Sequence, residues 1–327
     1  MPSIPYSRYI IGRIPWYSFL IVTGAAIAIL LAYREEKRLS LPSDTVIDLS
    51  LRVIPLGIIG ARIYYVIFSW SSFRDDPISV LYIWNGGLAI YGGIIAGILT
   101  LIVFAKKRNL SPFLLFDIIV PGLSLAQSIG RWGNYFNMEA YGQIISIPGL
   151  CFFPFAVRIF ESGGWNWHMA TFFYESVLDL IIFIFLFCAR KHYFRNTGDP
   201  FLHYLFLYAS GRLCIEQFRS DSLFSLSGGT RISQILSEMI VIAVLIHYKM
   251  FTDNKTCRHK PLRTVSFICS VCITFITLLV SSGLFPGLFD TTSKQVFILL
   301  LTSAVNISVL YILYNTCLAK ERTYADD

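Results

Sequence analysis

Nine long apolar stretches divide this chain: residues 16–33, 45–69, 79–105, 112–128, 170–189, 200–217, 231–249, 264–284 and 295–318. A run of about 18 or more apolar residues is long enough to cross a bilayer as a helix. In lipid, a helix satisfies its own backbone hydrogen bonds, which an isolated strand cannot do. Of the 327 residues, 14% are charged and 55% hydrophobic, whereas a soluble globular chain has about 25% charged residues. A soluble enzyme is thereby disfavoured, and the 16% aromatic content excludes intrinsic disorder. The expected fold is all-α: a polytopic integral membrane protein of about nine transmembrane helices, with no short-period repeat and no cleavable signal peptide.

The basic residues orient these helices, because cytoplasmic loops are enriched in Lys and Arg. Lys and Arg collect after the first, third, fifth, seventh and ninth stretches, at Arg34–Arg38, Lys106–Arg108, Arg190–Arg195, Lys249–Arg263 and Lys320–Arg322. The intervening loops are poorer, holding Arg74, then Arg131 and Arg158, then Arg219 and Arg231, then Lys294. The alternation places the N-terminus outside and the C-terminus inside. It also reads the net charge of +7 as basic inner loops rather than as a nucleic-acid surface. The N-terminal segment with Arg8 and Arg13 is expected to lie on the outer interface as an amphipathic arm. Loop 129–169 is too long for a turn alone, a length that often marks function.

Three polar motifs interrupt the apolar pattern. The first, GRWGNYFNMEAYG from Gly130 to Gly142, contains Arg131, Asn134, Asn137 and Glu139. An arginine at membrane depth is costly unless it binds something, and its planar fork of donors suits a phosphate. Asn134 and Asn137, three apart, point the same way on a helical turn. The plainer reading is a helix-ending turn with a snorkelling arginine. The second motif, YASGRLCIEQFRSD, sets Tyr208, Arg212, Glu216 and Arg219 on one helical stripe. Glu216 can pair with Arg212 or Arg219, and the plainer reading is an ion-pair ladder between packed helices. The third, WNGGLAIYGGIIAG, brackets Tyr91 with two glycine pairs; close helix packing is its ordinary explanation, and a hydroxyl beside a lipid the functional one.

Lesser signals are Trp16–Tyr17, Arg62, Asp117 and Pro121, while Asp48 and Arg52 read as an i,i+4 ion pair and Tyr174–Glu175 as packing. Four of the five histidines fall on or near the inner side and only His168 outside, which leaves too few for a Ser-His-Asp mechanism on the outer side where the arginines gather. The seven cysteines mostly sit in apolar runs. No disulfide framework, metal site or cofactor is expected from them.

The signature from Gly130 to Gly142 resembles that of the prolipoprotein diacylglyceryl transferases, roughly G-R-x-G-N-[FY]-x-N-x-E-x-x-G. The likeness extends through Trp16–Tyr17, Gly60–Val66, the paired glycines, Asp117 and Pro121, and Tyr208-x-x-x-Arg212-x-x-x-Glu216-x-x-Arg219, over about residues 10–250. It implies a bacterial cytoplasmic (inner) membrane enzyme with its active site toward the outer leaflet. Such an enzyme moves the diacylglyceryl group of phosphatidylglycerol onto the lipobox cysteine of a prolipoprotein, and glycerol phosphate leaves.

The resemblance carries essential roles to Arg131 and Arg212 and site roles to Asn134, Glu139, Glu216 and Tyr17; the expected catalytic set is Arg131, Arg212, Glu139, Glu216 and, from its hydroxyl, Tyr91. The expected phospholipid contacts are Arg131, Asn134 and Tyr17, together with Asn137, Gly142, Tyr208 and Arg219 of the same motifs. The nucleophile belongs to the substrate, so the arginines are expected to stabilise the departing phosphate, and Tyr91, Glu139 and Glu216 are alternatives for accepting the thiol proton. Many members have His where this chain has Tyr91, and a His-Pro pair near the position of His168. The expected partners are phosphatidylglycerol, lipobox signal peptides and membrane lipids, without nucleic acid. Residues 1–250 are expected to form a seven-helix transferase domain. Residues 251–327 add a transmembrane hairpin and a cytoplasmic tail, read as accessory or packing. A non-catalytic phospholipid-binding homologue and a transporter are the competing readings; the second predicts related halves with a midplane site, and no paired halves are visible.

Overall fold

The computed structural model describes residues 7–10, 12, 14–161, 163–220, 231–253, 260–281 and 292–323. Arg13 of the expected N-terminal arm, Asp221, Lys255 and Arg258 lie outside them. Among the described residues the chain forms nine α-helices: α1 Trp16–Arg38, α2 Thr45–Phe68, α3 Ile90–Lys107, α4 Pro112–Asn137, α5 Thr171–Ala189, α6 Asp199–Glu216, α7 Ile232–Asp253, α8 Lys260–Ser281 and α9 Thr292–Thr323. Six of them (α1 to α5 and α7) are long and apolar enough to cross a membrane. The protein is thus a mostly helical, polytopic membrane protein.

Three features depart from the sequence reading. Helix α3 starts at Ile90 rather than at residue 79, because Pro77 opens a 3₁₀ turn, Pro77–Leu81, and Gly86 and Gly87 take φ of 86° and 72°. Those left-handed angles suit glycine and stop a helix. Helix α4 runs on to Asn137, so the first part of the expected loop 129–169 is helical. The fold is also not purely helical: β1 Ala156–Glu161 and β2 Gly164–Met169 pair antiparallel, with Val157 opposite His168 and Ile159 opposite Asn166. Val157 and Ile159 point inward, while Arg158 lies over the rings of Trp165 and Trp167 at 5.5 and 5.9 Å. This is the period-two alternation of a half-buried strand.

The chain divides into two compact units, one comprising Met1–Gly24, Ser124–Cys188 and Leu202–Asp327, the other Ala25–Leu123 and Ala189–Phe201. In the second, Ala32, Val46, Leu49, Leu101, Phe104, Ala105, Leu115 and Ile118 form the core. Gly92 and Gly93 bring α3 against Gly60 and Gly57 of α2, so closely that a Cβ on Gly60 would sit 2.8 Å from the Gly92 carbonyl oxygen. Close packing of small residues is how apolar helices associate where burial from water gives no drive. The outer face of α2, with Leu51 at 69% and Ile67 at 65% exposure, suits lipid rather than water.

The first unit has an aromatic core in which Val157, Ile159, Ala170 and Phe172 pack with Trp132, Tyr135 and Tyr141. Helices α4 and α5 are joined by hydroxyls. Ser128 Oγ donates to the Ser176 carbonyl at 2.8 Å, Ser176 Oγ to the Ser128 carbonyl at 2.9 Å, and Ser124 Oγ to the Asp179 carbonyl at 2.7 Å. At Gly211, α6 comes so near α5 that a Cβ would meet Leu178 Cγ at 3.0 Å.

Candidate functional site

The arginine motif occupies the last two turns of α4. The helix ends in a Schellman arrangement: Glu139 N–H donates to the Asn134 carbonyl at 2.9 Å and Met138 N–H to the Tyr135 carbonyl at 3.2 Å. Met138 takes φ of 54° and Ala140 of 52°, left-handed values that cost about 1 kcal/mol or more for residues with a Cβ. The chain holds this strained exit where the signature lies. Gly133 admits α1: a Cβ there would be 2.7 Å from Tyr17 Cδ2. Trp16 stacks on Phe136 with centroids 4.8 Å apart, and Tyr17 is within electrostatic reach of Arg131 and Glu139.

The centre of the site is Glu175, one turn into α5 and 3% exposed. Its Oε2 lies 2.6 Å from Arg131 Nη1. Its Oε1 accepts from Arg212 Nη1 and lies 3.4 Å from Arg219 Nη1. Arg212 Nη2 reaches on to Glu216 Oε2 at 2.8 Å, which decides the pairing of Glu216 in favour of Arg212. Three guanidinium groups, one from α4, one from α6 and one from the segment just after α6, thus share one carboxylate. Asp179, one turn further along α5, is fully buried, and neither of its carboxylate oxygens has a hydrogen-bond partner among the described residues. Arg131 keeps two donors, Nε and Nη2, without a hydrogen-bond partner among the described residues, and its side chain is 21% exposed.

Reading Tyr174–Glu175 as packing is corrected by this geometry. Hydropathy hides both acids within α5, yet a carboxylate within a transmembrane segment is by default a functional candidate, and Glu175 and Asp179 stand at i,i+4. The stripe on α6 also needs correction. Tyr208, Arg212 and Glu216 share it, but the helix ends at Glu216, and Arg219 reaches Glu175 from the segment beyond.

Gly142 holds that segment. Residues 142 and 219 form an antiparallel bridge, Gln143 N–H donates to the Phe218 carbonyl at 2.9 Å, and Ser220 Oγ donates to the Tyr141 carbonyl at 2.9 Å. A Cβ on Gly142 would lie 2.6 Å from the Phe218 carbonyl oxygen and 2.7 Å from Met169 Cβ. Thr171 Oγ1 donates to the Ala140 carbonyl at 2.6 Å. His168 is buried, with Nδ1 2.9 Å from the Gly142 carbonyl oxygen and Nε2 3.3 Å from Glu161 Oε2. The start of the signature thus supplies a guanidinium, and its end anchors another.

The remaining expected residues are placed less centrally. Asn137 Oδ1 accepts from Arg8 Nε at 3.1 Å, while the Asn134 amide, half-buried, has no side-chain partner among the described residues. Glu139 is exposed and unpaired among the described residues. Tyr208 stacks on Tyr204 at 5.8 Å and lies within electrostatic reach of Arg131 and Arg212. Tyr91 belongs to the other unit, 38% exposed, its ring 6.5 Å from that of Tyr64. Arg62 is structural: it donates to the carbonyls of Val80, Ser79 and Gly86 at 2.8 Å and of Gly87 at 3.1 Å, closing residues 79–87 around itself.

Membrane-length helices and a largely buried cluster of three arginines with three carboxylates define a polytopic membrane protein with a polar site inside it. The profile of the prolipoprotein diacylglyceryl transferase family matches residues 8–250. The phosphatidylglycerol–prolipoprotein diacylglyceryl transferase of Lactobacillus acidophilus is 42% identical over 243 residues, covering 71% of this chain and 84% of that protein. The protein of the same name from Limosilactobacillus reuteri is 44% identical over 238 residues, covering 71% and 85%. That of Enterococcus faecalis is 42% identical over 235 residues, covering 71% and 84%. The chain belongs to the prolipoprotein diacylglyceryl transferase family.

Proposed function

We propose that this chain transfers the diacylglyceryl group of phosphatidylglycerol to the lipobox cysteine of prolipoproteins, the first step of bacterial lipoprotein maturation. The observation that carries this reading is the convergence of Arg131, Arg212 and Arg219 on Glu175, in a chain whose named relatives act on phosphatidylglycerol and prolipoprotein. The lipobox thiolate attacks the glycerol carbon that bears the phosphate ester. A C–S bond forms, the C–O bond breaks, and its electron pair leaves on glycerol phosphate. The phosphate gains a second negative charge as it departs, so guanidinium groups held in place in a water-poor site bind the transition state more tightly than the lipid.

Arg131 and Arg212 take the phosphate. Asn134, Asn137, Tyr17, Tyr208, Gly142 and Arg219 shape or hold the headgroup site. Tyr91, Glu139 and Glu216 are the alternatives for accepting the thiol proton. Alternating basic loops support nine spans with the N-terminus outside, in the bacterial inner membrane, and a site toward the outer leaflet. Residues 1–250 form the transferase domain and 251–327 a further hairpin with a cytoplasmic tail.

The test incubates the purified full chain with phosphatidylglycerol and a lipobox peptide and reads the peptide by mass spectrometry. One diacylglyceryl group gained on cysteine, with glycerol phosphate released, is the expected result. Folded, lipid-binding protein that leaves the peptide unmodified points instead to a non-catalytic homologue.

A further inference from the structure

The family match ends at residue 250, and helices α8 and α9 lie beyond it. Their interface is polar. Asn306 of α9 accepts from Ser270 and donates to Thr274 Oγ1 at 3.1 Å, and the Thr277 and Thr302 hydroxyls lie 2.5 Å apart. Hydrogen bonds of this kind fix helices against one another where lipid offers no hydrophobic drive. The hairpin is therefore a defined element rather than a loose appendage.

Helix α9 also reaches α6. Ser303 Oγ donates to the Ser210 carbonyl at 3.2 Å and lies 3.2 Å from Cys214 Sγ. Ser210 and Cys214 stand two residues before and two after Arg212. At about 100° per residue, two residues turn about 200°, so both lie on the side of α6 opposite Arg212. Two turns earlier on α6, His203 meets Tyr248 of α7, with Nδ1 3.2 Å from the hydroxyl, and Tyr314 of α9, with rings 4.9 Å apart. Helix α5 meets α6 at Gly211, next to Arg212. Arg212 thus projects from a stretch of helix braced by α5 and by α9.

We infer that Ser303 is a positioning residue, and that the appended hairpin sets the register and rotation of α6 so that Arg212 meets Glu175 and the lipid phosphate. This rests on the transferase reading above. It gives a definite task to the accessory or packing role expected of residues 251–327, since α9 stands on the side of α6 opposite Arg212. A guanidinium displaced by about 1 Å loses much of its effect on a transition state.

Two arms test the inference in the full chain. In the first, Ser303→Cys faces the native Cys214 within disulfide reach. Mild oxidation is expected to join positions 214 and 303, identified by peptide mapping, and to give no such bond when Cys214→Ser is added. Failure of that bond to form overturns the docking. In the second, Ser303→Leu is expected to lower kcat about tenfold and to weaken phosphatidylglycerol binding at least threefold. Ser303→Thr, which keeps the hydroxyl, should restore both, and Ser308→Leu, on the exposed face of α9, should change neither. Wild-type kcat and lipid binding in Ser303→Leu overturn the positioning role. If the wild-type chain binds the lipid but transfers nothing, the transferase reading falls, and lipid binding with cross-linking still decides whether α9 positions Arg212.

Discussion

Oε2 of Glu175 lies 2.6 Å from Nη1 of Arg131, joining α5 to α4 through a carboxylate that is 4% exposed. The same carboxylate accepts from Arg212, and Arg219 lies at 3.4 Å. Removing it leaves three cations crowded without their shared counter-charge. Truncating one member of a buried ion pair costs about 3–5 kcal/mol, so Glu175→Ala is expected to lower the thermal midpoint in detergent and abolish transfer. Glu175→Gln keeps the shape and loses the charge; we expect it to fold while turnover falls about 100-fold, a loss of near 3 kcal/mol in transition-state stabilisation. Wild-type turnover in Glu175→Ala would remove this residue from the site.

Arg131 separates charge from geometry. One nitrogen pairs with Glu175, while Nε and Nη2 have no hydrogen-bond partner among the described residues; on the proposed reading these two are the phosphate donors. Lysine can keep the pair with Glu175 but cannot present a planar fork. Arg131→Ala and Arg212→Ala are expected to insert and show no transfer. Arg131→Lys should retain a trace of activity with a raised KM for phosphatidylglycerol. Normal KM and kcat in Arg131→Lys would make Arg131 a structural cation only.

How far the sequence foretold this site depends on which physical signal each residue left. Arg212 and Glu216 were legible because they recur at helical spacing in an apolar run, and Arg131 because a guanidinium at membrane depth needs a reason. Glu175 and Asp179 left the same kind of signal, two acids at i,i+4 within α5, but the apolar residues around them dominate the hydropathy. The end of α4 was not legible. Met138 takes a left-handed angle without being glycine, so no stop signal stands where the helix ends. The spacing of Arg219 suits a helix, whereas the bridge to Gly142 draws the chain out of helical geometry. That contact lies far away in sequence, and local periodicity has no access to it.

The glycines of the signature are expected to differ. A Cβ on Gly142 would lie 2.6 Å from the Phe218 carbonyl oxygen, 2.7 Å from Met169 Cβ and 2.9 Å from Thr171 Cγ2, so three neighbours must give way. Overpacking of this kind costs about 1–3 kcal/mol, and it displaces the bridged segment that positions Arg219. A Cβ on Gly130 would meet nothing within 4 Å, and in a helix alanine is favoured over glycine by about 1 kcal/mol. Gly142→Ala should therefore lose both stability and transfer, while Gly130→Ala should keep transfer and melt no lower than the wild type. Melting curves and the peptide assay on the two variants check this; a tolerated Gly142→Ala would mean that its neighbours move without cost.

Arg52 and Arg62 stand on the same helix and are expected to behave oppositely. Arg52 is exposed, and its guanidinium lies 3.9 Å from Asp48 Oδ2, a spacing and setting worth at most about 0.5–1 kcal/mol. Arg52→Ala should change neither the melting midpoint appreciably nor transfer. Arg62 is 7% exposed and satisfies four carbonyls at 3.1 Å or less between Ser79 and Gly87. A fully buried carbonyl left without a donor costs about 1–3 kcal/mol; these four bonds are part-buried and each counts for less, but no other side chain can present so many donors in one plane. Arg62→Ala, and equally Arg62→Lys, should lower the melting midpoint by several degrees and speed proteolysis between residues 70 and 89. Unchanged cleavage there in Arg62→Ala would show that the turns following α2 hold without their central cation.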